Sequence, residues 1–157
     1  MSRVWVTNGS PALYAMVNTV NMACDEGFIP SRVHMLQNPA IVAQVDDALS
    51  YITRTVEAYR GEPPEIRRTT LETELDFDGM RVHHQHAIES AKECGEDVAV
   101  DITPGRKFMS AIAFAAGMRY GADHVYYFHL SATSGDRQLY PEFPRTATTL
   151  YDFTEVV

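Results

Sequence analysis

Short apolar runs alternate along the chain with longer stretches in which apolar side chains recur every three or four positions. The short runs predict strands over 3–7, 32–36, 66–71, 98–102, 124–130 and near 146–153. The periodic stretches between them predict helices. Pro11 suits the first turn of the first helix with Ser10 as its N-cap, and Leu13, Met16, Val17 and Val20 recur at helical spacing until Gly27 and Pro30. The second helix, 41–59, carries Val45, Leu49, Ile52 and Val56 on one stripe and ends at Gly61-Glu-Pro-Pro64. A third is expected over 76–94, after a turn at Asp78-Gly79. The fourth, 105–120, has small and apolar residues on nearly every face, which predicts deep packing. Alternating strands and helices imply an α/β fold, Rossmann-like and doubly wound, with a mainly parallel sheet and helices on both faces. One domain over residues 1–157 is expected, since no repeat or linker interrupts the pattern.

Composition narrows the function classes. Apolar residues make up 45% and charged residues 22%, a globular profile. No apolar stretch approaches the roughly 20 residues of a membrane span, and no basic segment followed by an apolar run opens the chain. Cys24 and Cys94 sit in neither a CxxC nor a zinc spacing, as expected of reduced thiols in a cytoplasmic protein. A net charge of −8 argues against long nucleic acid, which wants a basic face. It leaves room for a short anionic ligand held by a local nest of amides and one or two cations.

Such a nest is expected at Asp101-Ile-Thr-Pro-Gly-Arg-Lys107, between a buried strand and the fourth helix. Gly105 permits close backbone approach, first-turn amides point at a ligand, and Arg106 and Lys107 add cations. A plain strand-to-helix turn with two solvated basic residues is the competing reading. The loop is not GxxxxGK[ST]. Asn8-Gly9-Ser10-Pro11 forms a second junction of the same kind. It lacks GxGxxG, and no acidic residue ends the second strand, which disfavours a dinucleotide oxidoreductase. If strands one and four are neighbours, both loops face one crevice, and Ser10 and Lys107 could touch one ligand.

Asp101-Ile-Thr-Pro-Gly-Arg-Lys-Phe-Met-Ser110 resembles the D-x-T-x-G-x-K-x-M-[SA] signature of the CRISPR-associated Rossmann fold (CARF) domains. The likeness extends to Gly9-Ser10-Pro11, to Val33–Leu36 and to His124-Val-Tyr-Tyr-Phe-His129 with Tyr140-Pro-Glu-Phe-Pro144. Pro104 and Arg106 stand where many members have glycine and threonine. The resemblance implies a homodimer that binds a cyclic oligoadenylate, the second messenger of type III CRISPR defence, across its two-fold axis. The chain ends soon after its last expected strand, so the resemblance implies a free-standing member: a ring nuclease that destroys the messenger, or an adaptor that only senses it.

For a metal-independent ring nuclease acting on cyclic tetra-adenylate, Lys107 and Ser10 are the expected catalytic residues, with no cofactor. Asn8, Gly9, Thr103, Gly105, Arg106 and His129 are the expected ligand-binding residues. Metal-dependent hydrolysis through His83, His84 and His86 is the alternative from another class. On a helix those positions fan over about 300°, which disfavours convergence on one ion. Tyr126, Tyr127 and Phe128 fit a sheet face better than adenine platforms. Arg137 is a candidate lid residue.

Overall fold

A computed structural model describes residues 2–131 and 138–157. Residues 132–137, where the candidate lid residue Arg137 falls, lie outside the described residues. The elements run β1 (Arg3–Asn8), α1 (Leu13–Asp25), β2 (Arg32–Gln37), α2 (Val42–Arg60), β3 (Glu65–Thr70), α3 (Phe77–Glu93), β4 (Asp97–Asp101), α4 (Lys107–Tyr120), β5 (His124–Leu130) and β6 (Thr148–Asp152). The six strands form one sheet in the order β3-β2-β1-β4-β5-β6. All neighbours are parallel except β5 and β6. The expected Rossmann-like, doubly wound α/β fold is therefore present.

Alternation along β1 divides the core. Trp5 joins Val33, Met35 and Ala99 against α1 and α2, where Met16, Val17, Val20, Val45, Leu49, Ile52 and Val56 are buried. Val4 and Val6 join Val98, Val100 and Val125 against α3 and α4. A smaller cluster of Leu36, Leu71, Met80 and Met109 lies below the loops at the carboxyl ends of the strands.

Three local expectations are corrected. The first helix begins at Leu13, with Ala12 in the capping position, so Ser10 is not its N-cap. The Ser10 hydroxyl oxygen instead accepts the Ala12 amide at 3.1 Å, a local turn that competes with direct capping. No turn breaks α3 at Asp78-Gly79, because Asp76 is its N-cap and its carboxylate accepts the Gly79 amide at 2.8 Å. Nor is α4 deeply packed on every side. Met109, Ala113, Ala116 and Gly117 are buried, whereas Ala111 and Ala115 face outward, exposed.

Candidate functional site

The strand order reverses between β1 and β4, whose pairing runs from Arg3 opposite Asp97 to Val6 opposite Val100. Their following loops therefore open on one crevice beyond the carboxyl edge, the usual ligand position in such sheets. It has a volume of about 740 Å³ and is lined on one side by Gly9, Ser10, Gly105 and Arg106 and on the other by Asn38, Gln44, Glu72 and Glu74. A second crevice of about 490 Å³ lies across the β4–α4 loop, lined by Thr103, Gly105, Lys107, Ser110, Tyr127 and Phe153. Gly105 lines both. Ser10 and Lys107 thus flank one loop, on opposite sides of it.

The β4–α4 loop braces itself. Buried Asp101 accepts the Thr103 amide at 2.9 Å, and Thr7 Oγ1 donates to its other oxygen at 3.4 Å. Thr103 Oγ1 accepts the Phe128 amide at 2.9 Å, which pins the loop to β5. Ser110 Oγ donates to the Ile102 carbonyl at 2.6 Å. Gly105 has φ +99°, where a side chain would be strained, and a Cβ there would meet Met109 Sδ at 3.0 Å. Each of these signature residues thus has a structural reason to be present. Lys107 does not: it is exposed, and among the described residues no carboxylate pairs with it. The first bond inside α4 runs from the Ser110 amide to the Arg106 carbonyl at 3.1 Å. The amides of the preceding turn are left to point outward, at the positive end of the helix dipole. Burial pushes the Asp101 carboxyl up to about 7, against the pull of its hydrogen bonds to Thr103 and Thr7.

The β1–α1 junction is built differently. Asn8 is fully buried; its oxygen accepts from His84 Nε2 at 3.0 Å and its amide donates to the Met109 carbonyl at 3.4 Å. That places Asn8 beneath the crevice, away from a ligand. The Gly9 amide donates to the Leu36 carbonyl at 2.6 Å, so it is not free for a phosphate. A Cβ on Gly9 would sit 2.5 Å from that carbonyl oxygen, and the close approach explains the glycine. Ser10 is buried where it lines the crevice, and its hydroxyl keeps its proton to donate.

His129 is exposed at the end of β5, on the sheet face of Tyr127 and near Tyr151, and lines neither crevice. Tyr126 stacks on Trp5 at 5.9 Å and Phe128 is buried, so both belong to the sheet face. Tyr127 stacks on Phe153 at 6.0 Å and walls the second crevice. The three histidines of α3 do not converge. His83 Nε2 bonds the Thr7 carbonyl at 3.2 Å and must donate there, so its Nδ1 accepts from Thr69 Oγ1 at 2.8 Å. Burial lowers His83 to about 3, and His84 is also driven well below its ordinary value. His86 is exposed, and among the described residues no group of three or more ligands could hold a metal ion.

Glu72 and Glu74, on the β3–α3 loop, are crevice residues that motif reading passed over. Parallel strands end at one edge, and from β3 at the side of the sheet this acid-rich stretch reaches across to the crevice that Gly9, Ser10, Gly105 and Arg106 also line.

No protein-family model matches the sequence, and no curated protein matches it. Solved structures do match. Csm6 from Enterococcus italicus, bound to cyclic hexa-2'-fluoro-hexa-dAMP, matches over 96% of this chain at 16% identity, with a TM-score of 0.65. A type III CRISPR defence DNA nuclease activated by cyclic oligoadenylate matches over 83% at 17% identity and TM-score 0.61. Can2 from Sulfobacillus thermosulfidooxidans, in complex with cyclic tetra-adenylate, matches over 80% at 19% identity and TM-score 0.53. The chain spans 42%, 19% and 31% of those three proteins, respectively. At such identities the likeness is one of fold, and it is the fold that the signature implied.

Proposed function

We propose that the chain is a CARF domain that binds a cyclic oligoadenylate over its β4–α4 loop and cleaves the ring. One observation carries the proposal: the loop is braced through Asp101, Thr103 and Ser110, while Lys107 stands exposed beside free first-turn amides. A braced loop with a spare cation is a preorganised site for phosphate. The ligands named for the solved structures of the same fold agree with that chemistry. Arg106 and the Gly105 amide hold phosphates and Thr103 borders them, while His129, beside Tyr127 on the sheet face, reaches the ligand only if the ring extends past the second crevice.

Cleavage needs no nucleophile from the protein. A ribose 2′-oxygen attacks the adjacent phosphorus, the P–O5′ bond breaks, and the hydroxyl proton leaves as O5′ gains one. The products carry a 2′,3′-cyclic phosphate and a 5′-hydroxyl. Lys107 stabilises the charge on the phosphorane and Ser10 orients the ribose or phosphate. Because Ser10 and Lys107 flank Gly105, a ring reaches both only by straddling the loop or by meeting two copies of the chain. A two-fold pair presents the same loops to opposite halves of a symmetric ring. The outward Ala111 and Ala115 of α4, the helix that starts at this loop, support such a pair. A cytoplasmic setting is part of this reading, in keeping with two free cysteines.

The test is incubation of cyclic tetra-adenylate with excess protein in EDTA. Ring opening is an isomerisation that leaves the mass unchanged, so the readouts are chromatographic mobility and the 31P resonance of a 2′,3′-cyclic phosphate. An intact ring after hours overturns cleavage. The second reading is a sensor that binds the ring and passes the signal to a partner protein. The placement of Ser10 and Lys107 in different crevices favours it. Recovery of the ring whole from a tight complex would establish it.

A further inference from the structure

The β3–α3 loop closes the far side of the first crevice, and it is joined to the anion loop by one charged contact. Arg106 Nε donates to Glu74 Oε2 at 2.9 Å across the crevice that both residues line. At its start the loop is held by the Leu71 amide on the Gln37 carbonyl at 2.8 Å, and at its end Asp76 caps α3. Between these points Thr73 Oγ1 accepts the Leu75 amide, a local bond. Among the described residues, then, the Arg106–Glu74 pair ties the middle of the loop to the β4–α4 loop, at the residue before α4.

We infer that Glu74 is a built-in competitor for the phosphate site: its carboxylate occupies Arg106 in the free protein, and an incoming phosphate displaces it and releases the β3–α3 loop. The inference rests on the reading that this crevice takes phosphates. A carboxylate and a phosphodiester each offer two anionic oxygens to a guanidinium, so they compete for the same donors. The side chains of Arg106 and Glu74 are 64% and 42% exposed, which makes the pair weak enough to be displaced. Glu72 on the same loop adds a second negative charge that repels an anion until the loop moves. A ligand with several linked phosphates stays anchored by its other contacts while one of them contends with Glu74. A ligand with one phosphate has no such anchor. Glu74 thereby sets the crevice against single phosphates and in favour of joined ones.

The experiment compares the wild-type chain with Glu74→Gln, which keeps the shape and removes the charge. Inorganic pyrophosphate should bind Glu74→Gln about threefold to tenfold more tightly, the range expected of one exposed like charge and one weak ion pair. In an Arg106→Gln background the same substitution should lose the share of that gain that comes from freeing the guanidinium and keep the share that comes from removing a like charge. Without any ligand, amide exchange at 72–75 should be faster in Glu74→Gln, since the tie is gone. Equal or weaker pyrophosphate binding overturns the inference, and so does unchanged exchange. Cyclic tetra-adenylate is titrated in parallel. If it binds neither protein while the pyrophosphate and exchange results go as expected, the messenger reading fails and the competitor stands.

Discussion

The β1–α1 and β4–α4 junctions lie side by side at one edge of the sheet, and both are polar loops with a glycine, yet they are built in opposite ways. The first is fitted to its surroundings. Asn8 bonds His84 on α3 and Met109 on α4, while the Gly9 amide is tied to β2. The second is fitted largely to itself, through Asp101, Thr103 and Ser110, and leaves its amides and Lys107 to solvent. A strand-to-helix turn can thus be a floor or a set of donors. What decides is whether its hydrogen-bonding groups are already taken by neighbouring elements.

Substitutions should separate the two roles. The largest effect is expected at Lys107→Ala, which should slow ring cleavage about 10²–10³-fold, as loss of one transition-state donor does. Its melting temperature should stay near that of the parent, since the side chain is exposed. Single-turnover rates and thermal melts check both; undiminished cleavage would return Lys107 to the scaffold. Gly9→Ala should act the other way, lowering stability by about 1–3 kcal/mol through overpacking against the Leu36 carbonyl. Denaturant unfolding measures that loss, and a near-neutral result would mean the floor can yield.

Titration sharpens the contrast. His83, beneath the first junction, has a folded value lowered to about 3 from 6.5. The unfolded chain therefore takes up a proton that the folded chain refuses, and stability falls as the pH drops below about 6.5. Burial, with help from Arg32 and Arg67, lowers His34 to about 4, which acts in the same sense. Asp101, in the second junction, is raised to about 7 from 3.8, so its penalty is relieved as the pH falls through that window. The junctions titrate in opposite directions. Asp101→Asn should therefore steepen the acid-side loss of stability by up to about 1.4 kcal/mol per pH unit between about 4 and 6.5. Unfolding midpoints across that range test it, and an unchanged slope would sink it. The smallest effect is expected at Arg106→Gln, roughly threefold to tenfold weaker binding of cyclic tetra-adenylate by calorimetry, because the guanidinium is exposed and already paired with Glu74. A loss as large as that at Lys107 would make Arg106 the principal donor.

The strands and the apolar stripes of α1 and α2 could be read from spacing, because period is a local pattern; the meeting of the two loops hung on strands one and four being neighbours, which the pairing of β1 with β4 supplies. The buried roles of Asn8 and Gly9 could not be read from spacing. They depend on where α3 sets His84 and how closely β2 brings its Leu36 carbonyl, and both are facts of packing between distant segments. Lys107 was found by motif, but its crevice was not, since which side of a loop a side chain leaves depends on the helix start. That start is Lys107 itself, two residues later than the apolar pattern suggested. Glu74 carried no motif at all. Its importance appears only once the ends of β3 and β4 are known to stand along one edge.

β3 is one edge of the sheet, and an open edge with unpaired backbone groups invites other strands to add to it. Here Glu65 and Arg67 stand exposed and ion-paired with each other at 2.9 Å, while Arg68 pairs with Asp46 on α2. A strand arriving from a second molecule would have to settle against this row of fixed charges, so edge-to-edge growth into fibres is discouraged on that side. The acidic chain can then be concentrated without zipping together along β3.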